Sequence, residues 1–189
     1  MKLLTSLVAL ALFTPAALTA QDTWKADPAH SRLSFSVAHL GISEVSGIFK
    51  KFDVTATTTK ADFSDATFTL SVDVASIDTE VEQRDNHLRS PDFFDAAQFG
   101  TMTFKSSALK PAGKDRYTLS GDLTLHGVTH PVEMELWYRG TTENRGKKTA
   151  GFQLTGTLKR SDFKIGAKFP AAAISDEVAI KADGEFIKQ

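Results

Sequence analysis

The chain has no cysteine among its 189 residues, and no run of basic residues interrupts it. Without cysteine it cannot form disulfide bonds, use a thiolate nucleophile or build a cysteine-ligated metal site. Its formal net charge is −1. A nearly neutral chain without a basic patch has no electrostatic basis for binding a phosphate backbone, so we expect no nucleic-acid partner.

Signatures of catalysis are also missing. The sequence contains neither of the phosphate loops G-x-x-x-x-G-K-[ST] and G-x-G-x-x-G, and it has no G-x-S-x-G nucleophile elbow. His30 directly precedes Ser31, but adjacent residues on a strand point to opposite faces, so this imidazole cannot activate the hydroxyl. We therefore predict that the protein is not an enzyme and has no catalytic residue and no cofactor.

Long apolar runs are absent except at the start of the chain. The run from Leu3 to Leu18 follows Lys2 and is interrupted by Pro15, a pattern too short to span a bilayer comfortably and typical of a secretory signal peptide. We expect cleavage after Ala20, which leaves residues 21–189 as one soluble domain exported to the periplasm. No cysteine follows the run, which excludes a lipoprotein anchor.

The rest of the chain is dominated by alternation. About eight stretches alternate apolar and polar residues between clusters of Gly, Pro, Asp and Ser, and a period of two is typical of strands with one buried face. This pattern predicts an all-β fold, an eight-stranded antiparallel barrel, because closure removes the exposed edges of a sheet. Such a barrel can hold one small ligand, and the 14 Phe residues favour an apolar interior.

The apolar faces of the strands give the candidate cavity residues. On the second strand we assign Ile48 to the same face as Phe52. Glycines at the core-facing positions Gly121, Gly156 and Gly184 allow a strand to bend at a barrel corner or leave space for a ligand. The predicted ligand cavity consists of Leu33, Phe35, Val37, Phe52, Val54, Phe68, Leu70, Val72, Phe104, Leu119, Leu123, Leu125, Met134, Leu136, Phe152, Leu154 and Ile180.

One segment breaks the alternation. Residues Asp78 to Ser90 predict a short helix between the third and fourth strands, with Thr79 and Glu82 as a capping box and a proline directly after the segment. The helix has few apolar residues. We therefore expect the following Phe93-Phe94 pair to anchor this region against the barrel.

Three polar residues on the predicted helix resemble a catalytic cluster. Arg84 and His87 share a face because they are three residues apart, whereas Asp85 points elsewhere and is expected to bond to the backbone or to Arg89. We interpret the group as a structural network that fixes the helix over the barrel. Contact with the polar head group of a ligand is the second interpretation, and acid–base catalysis is the least favoured.

The spacing of two histidines has to be compared with that of a metal site. His126 and His130 have the spacing of metal ligands on a helix, but Gly127 and Val128 between them predict a hairpin turn. A third ligand is lacking as well. We predict a structural or solvated turn and no metal.

Several motifs along the chain resemble those of the YceI-like proteins, and they occur in the expected order over essentially the whole mature chain. One departure is Lys164, where many relatives carry glycine. The matching segments are Asp27-Pro28-Ala29-His30-Ser31, Leu33 to His39, Gly47-x-Phe49, Ser76-Ile77-Asp78-Thr79, Arg84 to Leu88, Asp92-Phe93-Phe94-Asp95, Gly121 to Val132, Arg160-Ser161-Asp162-Phe163 and Ser175-Asp176-Glu177-Val178.

The resemblance implies a lipocalin-like barrel in an exported bacterial protein. Characterised members of the family bind polyisoprenoid lipids, including isoprenoid quinones or prenyl phosphates, in an elongated apolar cavity. We thus expect a polyisoprenoid lipid or isoprenoid quinone as ligand, for transport, storage or sequestration, with transient membrane contact and a homodimer left open. The candidate rim or head-group contacts are His30, Arg32, His39, Arg84 and His87.

Two other functions remain open at this point. The same cavity could belong to an enzyme that acts on a lipid-like substrate. Alternatively, the barrel could be filled by its own side chains in a stress-related periplasmic factor, since eight-stranded barrels can be packed solid. The first alternative requires converging catalytic groups, and the second requires a barrel without a cavity.

Overall fold

The computed structural model describes residues 20–189. The predicted signal peptide, residues 1–20, lies outside the described residues except for Ala20. Short 3-10 turns at Val74–Ser76 and Arg160–Phe163 accompany the strands and the helix. In chain order the elements are β1 Asp22–His39, β2 Ser43–Phe49, β3 Phe52–Thr58, β4 Thr67–Asp73, β5 Ile77–Asp78, α1 Glu82–Arg89, β6 Thr101–Gly113, β7 Arg116–Leu125, β8 Val128–Asn144, β9 Lys147–Lys159 and β10 Ile174–Lys188.

The strands form one antiparallel sheet that closes on itself. Its order runs from β10 back through β9, β8, β7, β6, β4 and β3 to β1, and β1 then pairs with β10. β2 continues β3 along the edge of β1, so the two segments occupy a single strand position. The predicted eight-stranded antiparallel barrel is thus confirmed, as is one short helix between its third and fourth strand positions.

β1 is longer than the alternating pattern suggested. It begins at Asp22, and its pairing with β10 runs from Trp24 opposite Lys188 to His39 opposite Ile174. The register shifts between Ala26 and Ser31. This irregular stretch interrupts the alternation, which explains why the sequence pattern revealed only the part of the strand from Leu33 onward.

A break at Lys50 and Lys51 corrects one strand face. Before the break the buried β2 residues are Gly47 and Phe49, whereas after it the cavity-facing residues of β3 have even numbers, beginning at Phe52. Ile48 is half-buried and does not line the cavity. Its assignment to the face of Phe52 was wrong, because the irregular residues between the two segments shift the alternation by one position.

The two ends of the barrel differ. Antiparallel strand directions place α1, the β1–β2 turn, the β7–β8 turn and residues 160–173 at one end, which we call the mouth. The opposite end, the base, carries the β3–β4 loop and the β6–β7 and β8–β9 turns. Each end has its own cluster of buried apolar residues.

An aromatic cluster closes the base. Phe63, from the β3–β4 loop, is 2% exposed and lies with its ring centroid 5.1 Å from that of Trp24 and 5.0 Å from that of Phe152. The ring of Phe186 in turn lies 5.1 Å from that of Phe152. Edge-to-face contacts of this kind stabilise by more than their buried area alone. The base is therefore packed with side chains.

A carboxylate organises the loop that carries Phe63. Asp65 accepts hydrogen bonds from the hydroxyls of Thr58 and Thr59 and from the backbone N–H of Thr59. Burial opposes the charged form of this carboxyl, but the three hydrogen bonds outweigh it and lower the pKa of Asp65 to about 2 from the usual 3.8. The ionised carboxylate therefore stabilises the folded loop.

We predict that Asp65→Asn lowers the free energy of unfolding at pH 7 by about 1–2 kcal/mol, since the folded-state pKa lies below the unfolded value and the residue is partly solvated. The stabilisation is complete above about pH 4 and is lost as the pH falls through about 2, so the difference from wild type shrinks over that interval. Urea titrations at several pH values measure it. Asp122→Asn, at an exposed position on the outer wall, serves as the control. An equal effect of both substitutions, or a pH-independent difference, would contradict this account.

Candidate ligand-binding cavity

The barrel encloses a cavity of about 490 Å³. Residues from all eight strand positions line it, together with α1 and the segment between β9 and β10. The cavity lies above the aromatic cluster of the base and extends to the mouth, where Arg84 and His87 belong to its lining. A barrel filled by its own side chains is thereby excluded.

The structure places nearly all predicted cavity residues along this wall. The exception is Val72, which is fully buried but packs beside Val74, Ile77 and Met102 instead of lining the cavity. The predicted residues that line it are Leu33, Phe35, Val37, Phe52, Val54, Phe68, Leu70, Phe104, Leu119, Leu123, Leu125, Met134, Leu136, Phe152, Leu154 and Ile180.

Gly184 lines the cavity, whereas Gly121 and Gly156 do not leave room for a ligand. A Cβ at Gly121 would overlap the ring of Phe104, and a Cβ at Gly156 would overlap the Sδ of Met134. Neighbouring side chains already occupy both spaces, so these glycines allow close packing across the wall.

A hydrogen-bond network seats α1 at the mouth. The hydroxyl and backbone N–H of Thr79 both donate to Asp85 Oδ1, at 2.5 and 2.8 Å. Arg84 donates from Nε to the Thr79 hydroxyl at 2.7 Å and from Nη2 to the Thr79 carbonyl at 2.8 Å. The predicted capping box was wrong: the helix begins at Glu82 without a side-chain cap, because Thr79 pairs with Asp85 instead.

Asp85 and His87, two of the polar residues on the helix, contact different partners. Asp85 is buried and bonds to the backbone N–H of Thr79, one of the two partners we expected for it. His87 lies on the lining of the cavity and its Nε2 is 3.3 Å from Oδ2 of Asp92. Asp85 and His87 thus serve different partners and do not form an acid–base pair.

An aromatic and ionic cluster flanks His87. The rings of Phe93 and Phe169 stack at 4.8 Å, and the imidazole of His87 meets the Phe93 ring edge-on at 5.0 Å. Lys168 lies 2.5 Å from Asp92. The hydrogen bond from Lys168 and, to a smaller extent, the one from His87 hold the pKa of Asp92 below its usual 3.8. The cluster joins the helix side of the mouth to the segment between β9 and β10.

Arg160 holds that segment in place. Its Nε donates to the carbonyl of Ser175, Nη1 to those of Ile165 and Gly166, and Nη2 to those of Phe169 and Ile174, at 2.7 to 3.1 Å. All five N–H donors of the guanidinium are therefore used on backbone carbonyls. Sequence reasoning matched the motif around Arg160 but assigned the residue no role.

A strained residue follows the same motif. Lys164 has a φ of 58° and donates its backbone N–H to the carbonyls of Arg160 and Ser161. Glycine adopts this left-handed conformation without cost, which explains why glycine suits the position. The lysine is accommodated by the turn that Arg160 fixes.

Of the other three candidate rim residues, two line the cavity and one does not. His39 is exposed and lies on the lining near the mouth. Arg32 contributes to the lining, but it is exposed and alternates with the buried Leu33, so its side chain lies on the outer face. His30 does not line the cavity, which corrects its expected place at the rim, because the irregular stretch of β1 carries it outward.

His30 instead forms an exposed pair with Asp27. Its Nδ1 lies 2.8 Å from Oδ2 of Asp27, three residues earlier in the irregular stretch of β1. This hydrogen bond lowers the pKa of Asp27 below 3.8 and raises the pKa of His30 above 6.5. The pair orders the backbone outside the cavity.

The two candidate metal histidines make separate contacts. His126 and Gly127 form the tight β7–β8 turn, with φ values of 52° and 71°, and Nδ1 of His126 lies 3.0 Å from the carbonyl oxygen of Phe163. The ring of His130 packs on the ring of Phe163 at 5.5 Å. Over residues 20–189, no group of three or more metal-ligating side chains is placed to hold an ion.

Chemically, the cavity presents an apolar wall with polar groups near the mouth. Such a site can shield a long apolar chain and leave a polar end beside Arg84, His39 and His87. In the part of the chain that the structure describes, no helix combines the length and the apolar character needed to cross a bilayer.

Known proteins resemble this chain in sequence and in fold. A family model for the YceI-like domain matches residues 24–186. The chain belongs to the YceI-like family. Protein YceI of Salmonella arizonae and that of Salmonella paratyphi B are each 34% identical to the chain over 180 residues, which cover 95% of this chain and 94% of the relative. The resemblance seen in the sequence motifs is thus confirmed.

Solved structures support the YceI-like barrel. The crystal structure of BcnA from Burkholderia cenocepacia has a TM-score of 0.74 and 28% identity, and the match covers 85% of this chain and 98% of that one. A YceI protein from Campylobacter jejuni has a TM-score of 0.74 and 29% identity, with 80% and 90% covered. A polyisoprenoid-binding domain from Saccharophagus degradans, at 17% identity and a TM-score of 0.68, shares the fold and covers 88% of this chain and 98% of its own.

For the YceI-like barrel we predict that Arg160→Lys lowers the free energy of unfolding by about 2–4 kcal/mol, because an ammonium cannot reproduce the five bonds of the planar guanidinium. The freed segment should also become sensitive to trypsin at Lys164 and Lys168. Urea titration and limited proteolysis measure the two effects. Lys159→Arg, at the exposed neighbouring position, should change neither. Wild-type stability and protease resistance in Arg160→Lys would show that the segment is held by other contacts.

Proposed function

We propose that this protein holds a polyisoprenoid lipid, an isoprenoid quinone or a prenyl phosphate, in the barrel cavity for transport, storage or sequestration. The observation that carries the proposal is the apolar cavity of about 490 Å³. Sites for single small ligands have volumes of roughly 300–1,000 Å³ and are lined mainly by apolar side chains. Binding without turnover is the activity that such a site supports best.

The polar groups at the mouth suit one end of such a ligand. The Arg84 guanidinium uses Nε and Nη2 on Thr79 and is thereby fixed beside the cavity. In the proposed binding mode the isoprenoid chain lies along the apolar wall, and the head group lies near Arg84 and His87. The Saccharophagus degradans domain, named for polyisoprenoid binding, has the same fold and supports this choice of ligand class.

The proposal includes export. Residues 1–20 act as a signal peptide, and residues 21–189 form the lipid-binding domain in the periplasm. There the protein faces membranes that also shelter isoprenoid chains. Burial contributes about 0.8 kcal/mol per CH₂ in either place, so the cavity and the bilayer compete on nearly equal terms. A ligand held in this way can be exchanged with a membrane.

Native mass spectrometry of protein purified from its own host tests the ligand directly. We expect the folded barrel to carry an added mass that organic extraction identifies as an intact polyisoprenoid. The proposal would be contradicted if the purified barrel carried no ligand although the host makes such lipids. A bound compound without an isoprenoid chain would contradict it as well. Repeated chemical conversion of an added prenyl phosphate or quinone would favour the enzyme instead.

Filling the cavity should exclude the ligand. Ala182 lines the cavity between Leu33 and Leu154 on the neighbouring strands, so a phenyl ring at this position occupies ligand space. We predict that Ala182→Phe weakens lipid binding by roughly tenfold or more, since overpacking costs about 1–3 kcal/mol. Competition with a fluorescent apolar dye measures the affinity.

The matched control is Ala179→Phe on the same strand. Ala179 is exposed, and its parity on β10 places it on the outer wall. This substitution adds the same ring without touching the cavity, so lipid affinity should stay at the wild-type value. Equal affinities for both variants and wild type would place the ligand outside the barrel.

A further inference from the structure

The turn between β1 and β2 places a leucine in an unfavourable conformation. The N–H of Ile42 donates to the carbonyl of His39 at 3.2 Å, and the two central residues, Leu40 and Gly41, have φ values of 53° and 68°. Asn, Asp and Gly are strongly preferred where both central residues of a hairpin turn need positive φ. A leucine there costs conformational energy, because its branched side chain crowds the left-handed backbone.

The same turn also exposes its apolar side chains. Ile42 is 86% exposed and Leu40 is 56% exposed. Among residues 20–189, the remaining large apolar residue with comparable exposure is Val81, at 46%. Neither conformation nor burial within the fold therefore accounts for Leu40.

These three side chains lie at one end of the molecule. β2 pairs with β5, with Ile48 opposite Asp78 and Phe49 opposite Ile77. Thr79, directly after β5, packs against Gly47, and Val81 follows two residues later. The β1–β2 turn and Val81 therefore flank the same edge of the barrel.

That edge borders the opening of the cavity. His39 and Val45, on either side of the β1–β2 turn, line the cavity, and so do Thr79 and Arg84, on either side of Val81. The exposed apolar side chains thus belong to segments that border the opening of the cavity. We call Leu40, Ile42 and Val81 the apolar rim.

The size and charge of this rim indicate its partner. A stable protein–protein interface uses about 20–30 residues on each side, far more than three side chains provide. The rim projects from a turn and from the residue before a helix, whereas a binding groove is concave. Glu44, Glu80 and Glu82 are exposed next to it, and positions 40–49 and 77–83 contain no lysine or arginine that would attract an anionic surface.

We propose that the apolar rim inserts into the surface of a lipid bilayer and seats the mouth of the barrel against it. This inference rests on the proposed function, because a ligand that partitions between cavity and membrane must cross the space between them. Seating the mouth on the bilayer lets the isoprenoid chain pass between two apolar environments without full exposure to water. The adjacent carboxylates are repelled by anionic lipid, so docking should need no anionic lipid and should not weaken as the salt concentration rises.

The test compares vesicle binding of wild-type protein with that of Leu40→Asn/Ile42→Ser. Flotation with phosphatidylcholine vesicles should show at least a roughly tenfold loss of membrane partitioning in the variant, from the apolar area removed. Asparagine favours positive φ, so the urea midpoint of the variant should not fall. Ile187→Ser, a half-buried position at the base outside both apolar clusters, should leave partitioning unchanged.

Three outcomes would overturn the docking inference. The first is wild-type vesicle binding by the double variant. The second is binding that requires phosphatidylglycerol and disappears at high salt, which would indicate an electrostatic surface elsewhere. The third is loss of a homodimer in the double variant with unchanged vesicle binding, which would make the rim an interface between copies of the chain.

A dye-binding measurement separates this inference from the proposed function. Both wild type and the double variant should take up a soluble apolar dye into the cavity, because the rim lies outside it. If neither protein binds dye or lipid, the proposed function is wrong. If both bind dye and both transfer lipid to vesicles at the same rate, the carrier function stands and the rim is not a docking surface.

Discussion

β1 is hydrogen-bonded along both of its edges, to β10 on one side and to β2 and β3 on the other. The pairing with β10 closes the sheet, and every other feature of the molecule depends on that closure. A closed sheet has an inner face that must be apolar and an outer face that meets solvent. Because the inner face is wider than its side chains can fill, closure also creates the cavity.

The two ends of the barrel handle the enclosed space in different ways. At the base, Phe63 and its aromatic neighbours fill the interior. At the mouth, hydrogen bonds from Arg160 to backbone carbonyls and the Thr79–Asp85 pair hold the covering segments, together with the packed rings of Phe93 and Phe169. Polar contacts leave the region beside them open, so the cavity reaches the surface where Arg84 and His87 lie.

Much of this architecture could be predicted from the sequence, since alternation identifies the inward face of a regular strand. It placed the wall residues from Leu33 to Ile180 on the cavity, with Val72 as the exception. It failed at Ile48, where an irregular break shifts the alternation. It also missed Phe63 and Arg160, because a loop residue that plugs a barrel or binds distant carbonyls has no local pattern.

The central claim is that an isoprenoid chain lies along the inner wall. Intermolecular nuclear Overhauser effects between a ¹³C-labelled prenyl ligand and the protein's methyl groups test it most directly. The account predicts contacts from the ligand to Leu33, Leu70 and Leu154, which line the cavity, and none to Ile48 or Ile187. Contacts confined to the outer methyl groups would contradict it.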